Sequence, residues 1–183
     1  MRWQCCWVAW PMPLAAAAEL LEFDRQAMLA GEIWRLWTGH LVHYSAQHAL
    51  VDFATALIAS AIVLPTVGWR RLTLLLAMAT PLISAGLLLL APECLHYRGA
   101  SGIAVMLVVL AARTLWPRSG MGGRTALLLL AVTLLAKIAA EAGGLAAPWS
   151  GLPEDVRVVW QAHLLGAIVA LTIRLAPSHK VVV

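Results

Sequence analysis

The sequence predicts an all-α, polytopic membrane bundle of six transmembrane helices, and three observations predict it. The 183 residues are 62% hydrophobic and only 12% charged, with a mean hydropathy of +0.83, too little polar side chain to clothe a water-soluble globule. Apolar runs of near-membrane length recur along the chain, separated by Pro, Gly or charged residues. Crossing about 30 Å of hydrocarbon takes roughly 20 apolar residues. Six runs therefore occupy nearly all of residues 1–183 as one domain.

The first span is placed over 3–21. Pro11 and Pro13 interrupt it, and Ala15-Ala16-Ala17 resembles a signal cleavage site; a retained, kinked helix is the reading adopted. The second, over 44–64, carries His48 and Asp52, and the third covers 69–91. Gly99-Ala100-Ser101-Gly102 introduces the fourth, over 101–116. The fifth, over 125–142, holds Lys137 and Glu141, whose spacing of four suits a mutual ion pair or snorkelling near the outer end. The sixth, over 160–176, carries His163. Trp34, Trp37, Trp69, Trp116, Trp149 and Trp160 fall near span ends and read as an interfacial belt.

Charge sets the orientation. With six spans, Arg2, Arg70, Arg71, Arg113, Arg118, Arg124, Arg174 and Lys180 gather on the side of both termini. Arg25, Arg35, Arg98 and Arg157 lie opposite, diluted by six acidic residues. The positive-inside rule then puts both termini in the cytoplasm. Helices two, four and six run from outside to inside, so His48, Ser101 and His163, each early in its helix, share one outer depth. The net charge of +4 is scattered and forms no basic tract with interleaved aromatics, so nucleic acid is not an expected partner. Three cysteines, two of them adjacent, suit neither a disulfide framework nor a zinc site, and no cofactor or metal is expected.

The reactive residue types are few. Ser101 sits among small neighbours that leave its hydroxyl uncrowded, suiting a nucleophile or simply a close helix contact. His163 shares a face with Gly166, Ala167 and Ala170, and small residues there allow an approach to helix four that brings the imidazole to Ser101. His48 and Asp52, four apart, share a face of helix two and must look inward. They suit either an oxyanion donor or a polar pair that fixes packing. His40 and His96 are read as outer loop residues, and His179 as part of a solvated tail.

Taken in order, Trp34-Arg35, Thr38, His43, His48, Asp52, then Gly99-Ala100-Ser101-Gly102, then Ala162-His163-Leu164-Leu165-Gly166 resemble the rhomboid pattern of WR, H, HxxxN, GxSG and AHxxG. The stretch from Phe23 to Phe53, including Gly31-Glu32-Ile33-Trp34-Arg35-Leu36, is similar to the bacterial branch called rhombosortases. The resemblance implies an intramembrane serine endopeptidase with a Ser/His dyad. Ser101 would be nucleophile and His163 base, and His48, position 52 and the Ser101 amide would face the oxyanion. Gly99 and Gly102 would support the site, and Gly166 and Ala170 would pack its helices.

The resemblance also implies membrane-anchored protein substrates with a C-terminal Gly-Gly-containing sorting tail, cut on the periplasmic side of a bacterial inner membrane. Two positions depart from the general pattern. Val105 stands where many rhomboids carry a Tyr that stacks on the base, and Asp52 replaces Asn. Two other readings stay open: an inactive rhomboid-like binder of membrane clients, and a metal- or haem-binding membrane protein using His40, His43, His48 and His96.

Overall fold

The computed structural model describes residues 12–145, 152 and 156–175. The beginning of the first predicted span, the end of the sixth, Trp149 and His179 lie outside the described residues. The structure is mostly helical. In chain order it contains α1 (Met12–Leu21), a two-residue strand β1 (Phe23–Asp24), the short helices α2 (Arg25–Leu29) and α3 (Arg35–Thr38), and then α4 (Ala46–Val67) and α5 (Trp69–Leu90). There follow β2 (His96–Tyr97), α6 (Ser101–Leu115) continued by a 3-10 turn (Trp116–Arg118), α7 (Met121–Ala142) and α8 (Trp160–Thr172).

Four of these are long and apolar enough to cross a membrane: α4, α5, α6 with its 3-10 turn, and α7. The chain is thus a multi-pass membrane protein. The other two expected spans fall on shorter helices among the described residues, α8 with 13 residues and α1 with 10, so four of the six expected spans are shown. Helix ends moved where local chemistry overrode hydropathy. Ser45 begins α4 because its side chain accepts from the His48 amide at 3.0 Å. The helix then runs past the expected end at 64, through Pro65 to Val67. It stops at Gly68, whose φ of +77° favours glycine, and α5 starts on the next residue.

Helix α6 is the axis of the bundle. From Gly102 to Leu107 every residue is buried, because α8 packs along one side of it and α4 along the other, with α5 behind α8. Gly102 meets Ala162 at one end of α6, and Arg113 meets Ala170 and Ile173 at the other, so α6 and α8 run parallel. By contrast, α7 rests chiefly on α8, and its Leu128, Leu129, Val132 and Leu135 are exposed, as suits a helix facing lipid.

Arginines satisfy the carbonyls that helix ends leave unpaired, a need that is sharper where no water can bond them. Arg113 donates to the carbonyls of Ala170 and, at 2.8 Å, Ile173 at the end of α8. Arg25 donates to Leu88 at 2.6 Å and Ala91 at 3.3 Å at the end of α5. Arg35 is buried and donates to Glu19 at 2.7 Å and Glu22 at 2.8 Å at the end of α1. Trp34-Arg35 is therefore a clamp on α1, joined by the Thr38 hydroxyl, which donates to Leu21 at 2.6 Å.

Candidate active site

Ser101 is the first residue of α6, so its own amide and those of Gly102 and Ile103 have no partner inside the helix; the first helical bond is Ala104 to Ala100 at 2.8 Å. Free amides at a helix N-terminus favour negative charge. What precedes Ser101 is held rigidly. β2 pairs antiparallel with β1, Tyr97 opposite Phe23 and His96 opposite Asp24. The Gly99 amide donates to the Gly39 carbonyl at 3.1 Å. Gly99 has a φ of +139°, and a Cβ there would stand 2.9 Å from the His48 ring and 3.3 Å from Asp52 Oδ2. Glycine is required on both counts: it lets the segment before Ser101 lie directly on the His48 and Asp52 side chains.

Those side chains form one cluster. Asp52, 5% exposed, places Oδ2 3.2 Å from His43 Nε2 and 3.4 Å from His48 Nε2. The Ala100 amide donates to the same His43 nitrogen at 3.2 Å. A neutral imidazole nitrogen carries one lone pair or one proton, so His43 Nε2 either accepts from the Ala100 amide or donates to Oδ2, not both at once. His43 thus belongs to the site, although the sequence marked it only as a motif residue. The pattern His43-x4-His48-x3-Asp52 puts His48 and Asp52 in the first turns of α4 and His43 three residues before it. Asp52→Asn keeps an acceptor oxygen and supplies an N–H donor in nearly the same volume, and is expected to keep activity within about threefold. Asp52→Leu leaves His43 and His48 without their shared partner and is expected to lose on the order of 100-fold. Initial cleavage rates of the two purified variants check this.

Opposite this cluster stands His163, 4% exposed, on α8. Ala162 and Ala170 on the same helix are fully buried, and a Cβ at Gly166 would fall 2.0 Å from the Gly102 carbonyl oxygen. Backbone-to-backbone contact through small residues sets the separation of α6 and α8. The His163 Nδ1 lies 2.6 Å from Glu141 Oε2 on α7. The expected pairing of Lys137 with Glu141 is present, and His163 is a third member that spacing along one helix could not reveal.

Ser101, His163, His48 and Asp52 wall a single cavity of about 270 Å³ lying between α4 and α7 over α6. Its apolar walls include Val51, Ala104, Val105, Val108 and Leu134, and Arg98, Lys137 and Arg157 lie at its edge. Two buried polar atoms at the cavity lack a hydrogen bond among the described residues, Nδ1 of His48 and the hydroxyl of Tyr97. Ser101 and the Gly102 backbone face the Tyr97 hydroxyl, and burial holds that phenol above its usual pKa range.

His40 departs from expectation. It lies in a turn between α3 and α4, but it is buried, because its Nε2 pairs with the Ser84 hydroxyl at 3.0 Å and its ring packs edge-on against Tyr97. Desolvation lowers its pKa to about 4. Its neutral form is the folded one, so its contribution is intact above about pH 6.5 and is lost as the pH falls from there towards 4. His96, expected in a loop, lies in β2, is exposed and pairs with Glu22 at 3.2 Å. Of the four outer histidines, His43 and His48 meet at Asp52, while His40 pairs with Ser84 and His96 with Glu22. Among the described residues, no group of three or more His, Cys, Asp or Glu is arranged to hold a metal ion.

The family model of the Rhomboid domain matches residues 30–179, well over half of the chain. No curated protein matches significantly. The matched region contains α4 to α8 and with them every residue that walls the cavity between α4 and α7. The chain belongs to the rhomboid family of intramembrane serine proteases.

Proposed function

We propose that the protein is a rhomboid peptidase that uses Ser101 as nucleophile and His163 as general base, and that it is of the rhombosortase kind. What carries the reading is that a serine and a histidine, each near the start of its helix, face one cavity because Gly102 and Gly166 let α6 and α8 touch. Ser101 Oγ attacks the scissile carbonyl while its proton passes to Nε2 of His163. Charge then grows on the carbonyl oxygen, where the Ser101 amide and His48 stabilise it. His163 returns the proton to the leaving amine, and water entering from the outer face releases the acyl group from Ser101 by the reverse relay.

A peptide bond inside a helix hides its carbonyl, so the substrate segment must unwind, and glycines favour that. The cavity is lined by residues of α4, α6 and α7, and Ala104 and Val105 among them leave room for a chain with little side chain. This agrees with membrane-anchored substrates that carry a Gly-Gly-containing C-terminal tail. The rhombosortase assignment rests on the wording of residues 23–53. Six spans are the reading of the apolar runs, cytoplasmic termini and an outward-opening site follow from the charge asymmetry of the loops given six spans, and a bacterial inner membrane is what the rhombosortase resemblance implies. A secreted reporter bearing such a tail, co-expressed with the full chain, is expected to mature with the wild type and to stay full-length with Ser101→Ala. Equal maturation with both would sink the assignment.

A further inference from the structure

With Val105 four residues after Ser101, no aromatic ring stacks on His163 from that position. The structure offers a different means of holding it. Nδ1 of His163 and Oε2 of Glu141 are 2.6 Å apart, on side chains 5% and 6% exposed. The other oxygen, Oε1, is ion-paired with Lys137 one helical turn earlier. Lys137 Nζ is also 3.4 Å from Nδ1. A ring nitrogen that carries its proton has nothing to accept with, so the carboxylate is its partner.

We propose that Glu141 is a positioning residue of this site: anchored through one oxygen by Lys137, it accepts the Nδ1 proton of His163 through the other. That bond fixes the tautomer in which Nε2 is bare and available to Ser101, and it stabilises the imidazolium formed when the serine proton arrives. The inference rests on the reading of Ser101 and His163 as nucleophile and base. It is independent of substrate class.

Two features favour this over a purely structural tie. An ionisable residue in a lipid-facing helix is costly and turns inward only to a partner, and Glu141 and Ile138 are the buried residues of α7. The bond is also made to the one ring nitrogen that leaves the other free. A structural tie would serve equally well through either.

The test uses the full-length protein in detergent or liposomes and compares wild type, Glu141→Gln and Glu141→Asp. Peptide cleavage gives kcat and KM, a fluorophosphonate probe gives the rate of Ser101 modification, and thermal unfolding gives stability. Glu141→Gln presents the wrong partner to Nδ1 and is expected to lower kcat and probe modification together by about 10²- to 10⁴-fold, with KM changed by less than about threefold. Glu141→Asp is expected to recover at least about tenfold of that loss. A folded Glu141→Gln within about threefold of wild type in kcat would overturn the inference while the protease reading stands. A wild type that the probe never modifies at Ser101 would overturn that reading, and the inference with it. Should Glu141→Gln fail to fold, isotope-edited NMR of the wild-type histidine ring nitrogens decides the matter. A far-downfield proton on Nδ1 of His163 supports the inference, and a proton resting on Nε2 contradicts it.

Discussion

His163→Ala is expected to lower peptide cleavage by about 10⁴- to 10⁶-fold, Ser101→Ala by a similar factor, and the double variant by no more than either alone. The reason is that the two groups perform one event. Without the imidazole, the Ser101 hydroxyl keeps its proton and is a poor nucleophile; without the hydroxyl, the imidazole has nothing to activate. Residual activity in each case comes from binding and from the amides at the start of α6. Ser101→Ala removes no large side chain and its unfolding is expected to shift little, whereas His163→Ala leaves the buried Glu141 Oε2 without its partner and is expected to cost about 1–3 kcal/mol. Cleavage rates of the two single variants and the double variant check this. Losses that multiplied in the double variant would mean that the residues act separately.

The second large effect concerns packing. Gly166→Val is expected to abolish activity and to destabilise the bundle by more than about 3 kcal/mol, above the usual range for overpacked sites. Even the first added carbon would stand 2.0 Å from the Gly102 carbonyl oxygen and 3.3 Å from the Met106 amide nitrogen. Both are backbone of the central helix, which has no rotamer to yield. The helices must separate, and His163, one turn away, moves off Ser101. Gly122→Val makes a control, because open space surrounds that glycine. It should leave activity unchanged and cost no more than about 1 kcal/mol. Thermal unfolding of the purified proteins, together with cleavage rates, measures both.

Much of this was legible in the sequence because the bilayer makes hydropathy a strong signal. The apolar runs over 44–64, 69–91, 101–116 and 125–142 correspond to α4, α5, α6 and α7 within a few residues. Ser101 and His163 stood out because polar groups are rare in such runs, and His48 and Asp52 because a spacing of four puts them on one face. What escaped were contacts made across the fold. Nothing local in His40 signals that Ser84, 44 residues away, will bury it. Glu141 already had a plausible partner in Lys137 on its own helix, which concealed its bond to His163, 22 residues further on. His43 lies just before α4, where no helical periodicity reports the side on which it falls.

The central claim is that Ser101 is a nucleophile activated by His163, and the most direct measurement is mass spectrometry of the full-length protein after treatment with a fluorophosphonate probe. The account predicts one covalent adduct, on the peptide containing Ser101, that disappears in Ser101→Ala and falls steeply in His163→Ala. An adduct undiminished by His163→Ala, or one that forms on another residue and persists in Ser101→Ala, would contradict it.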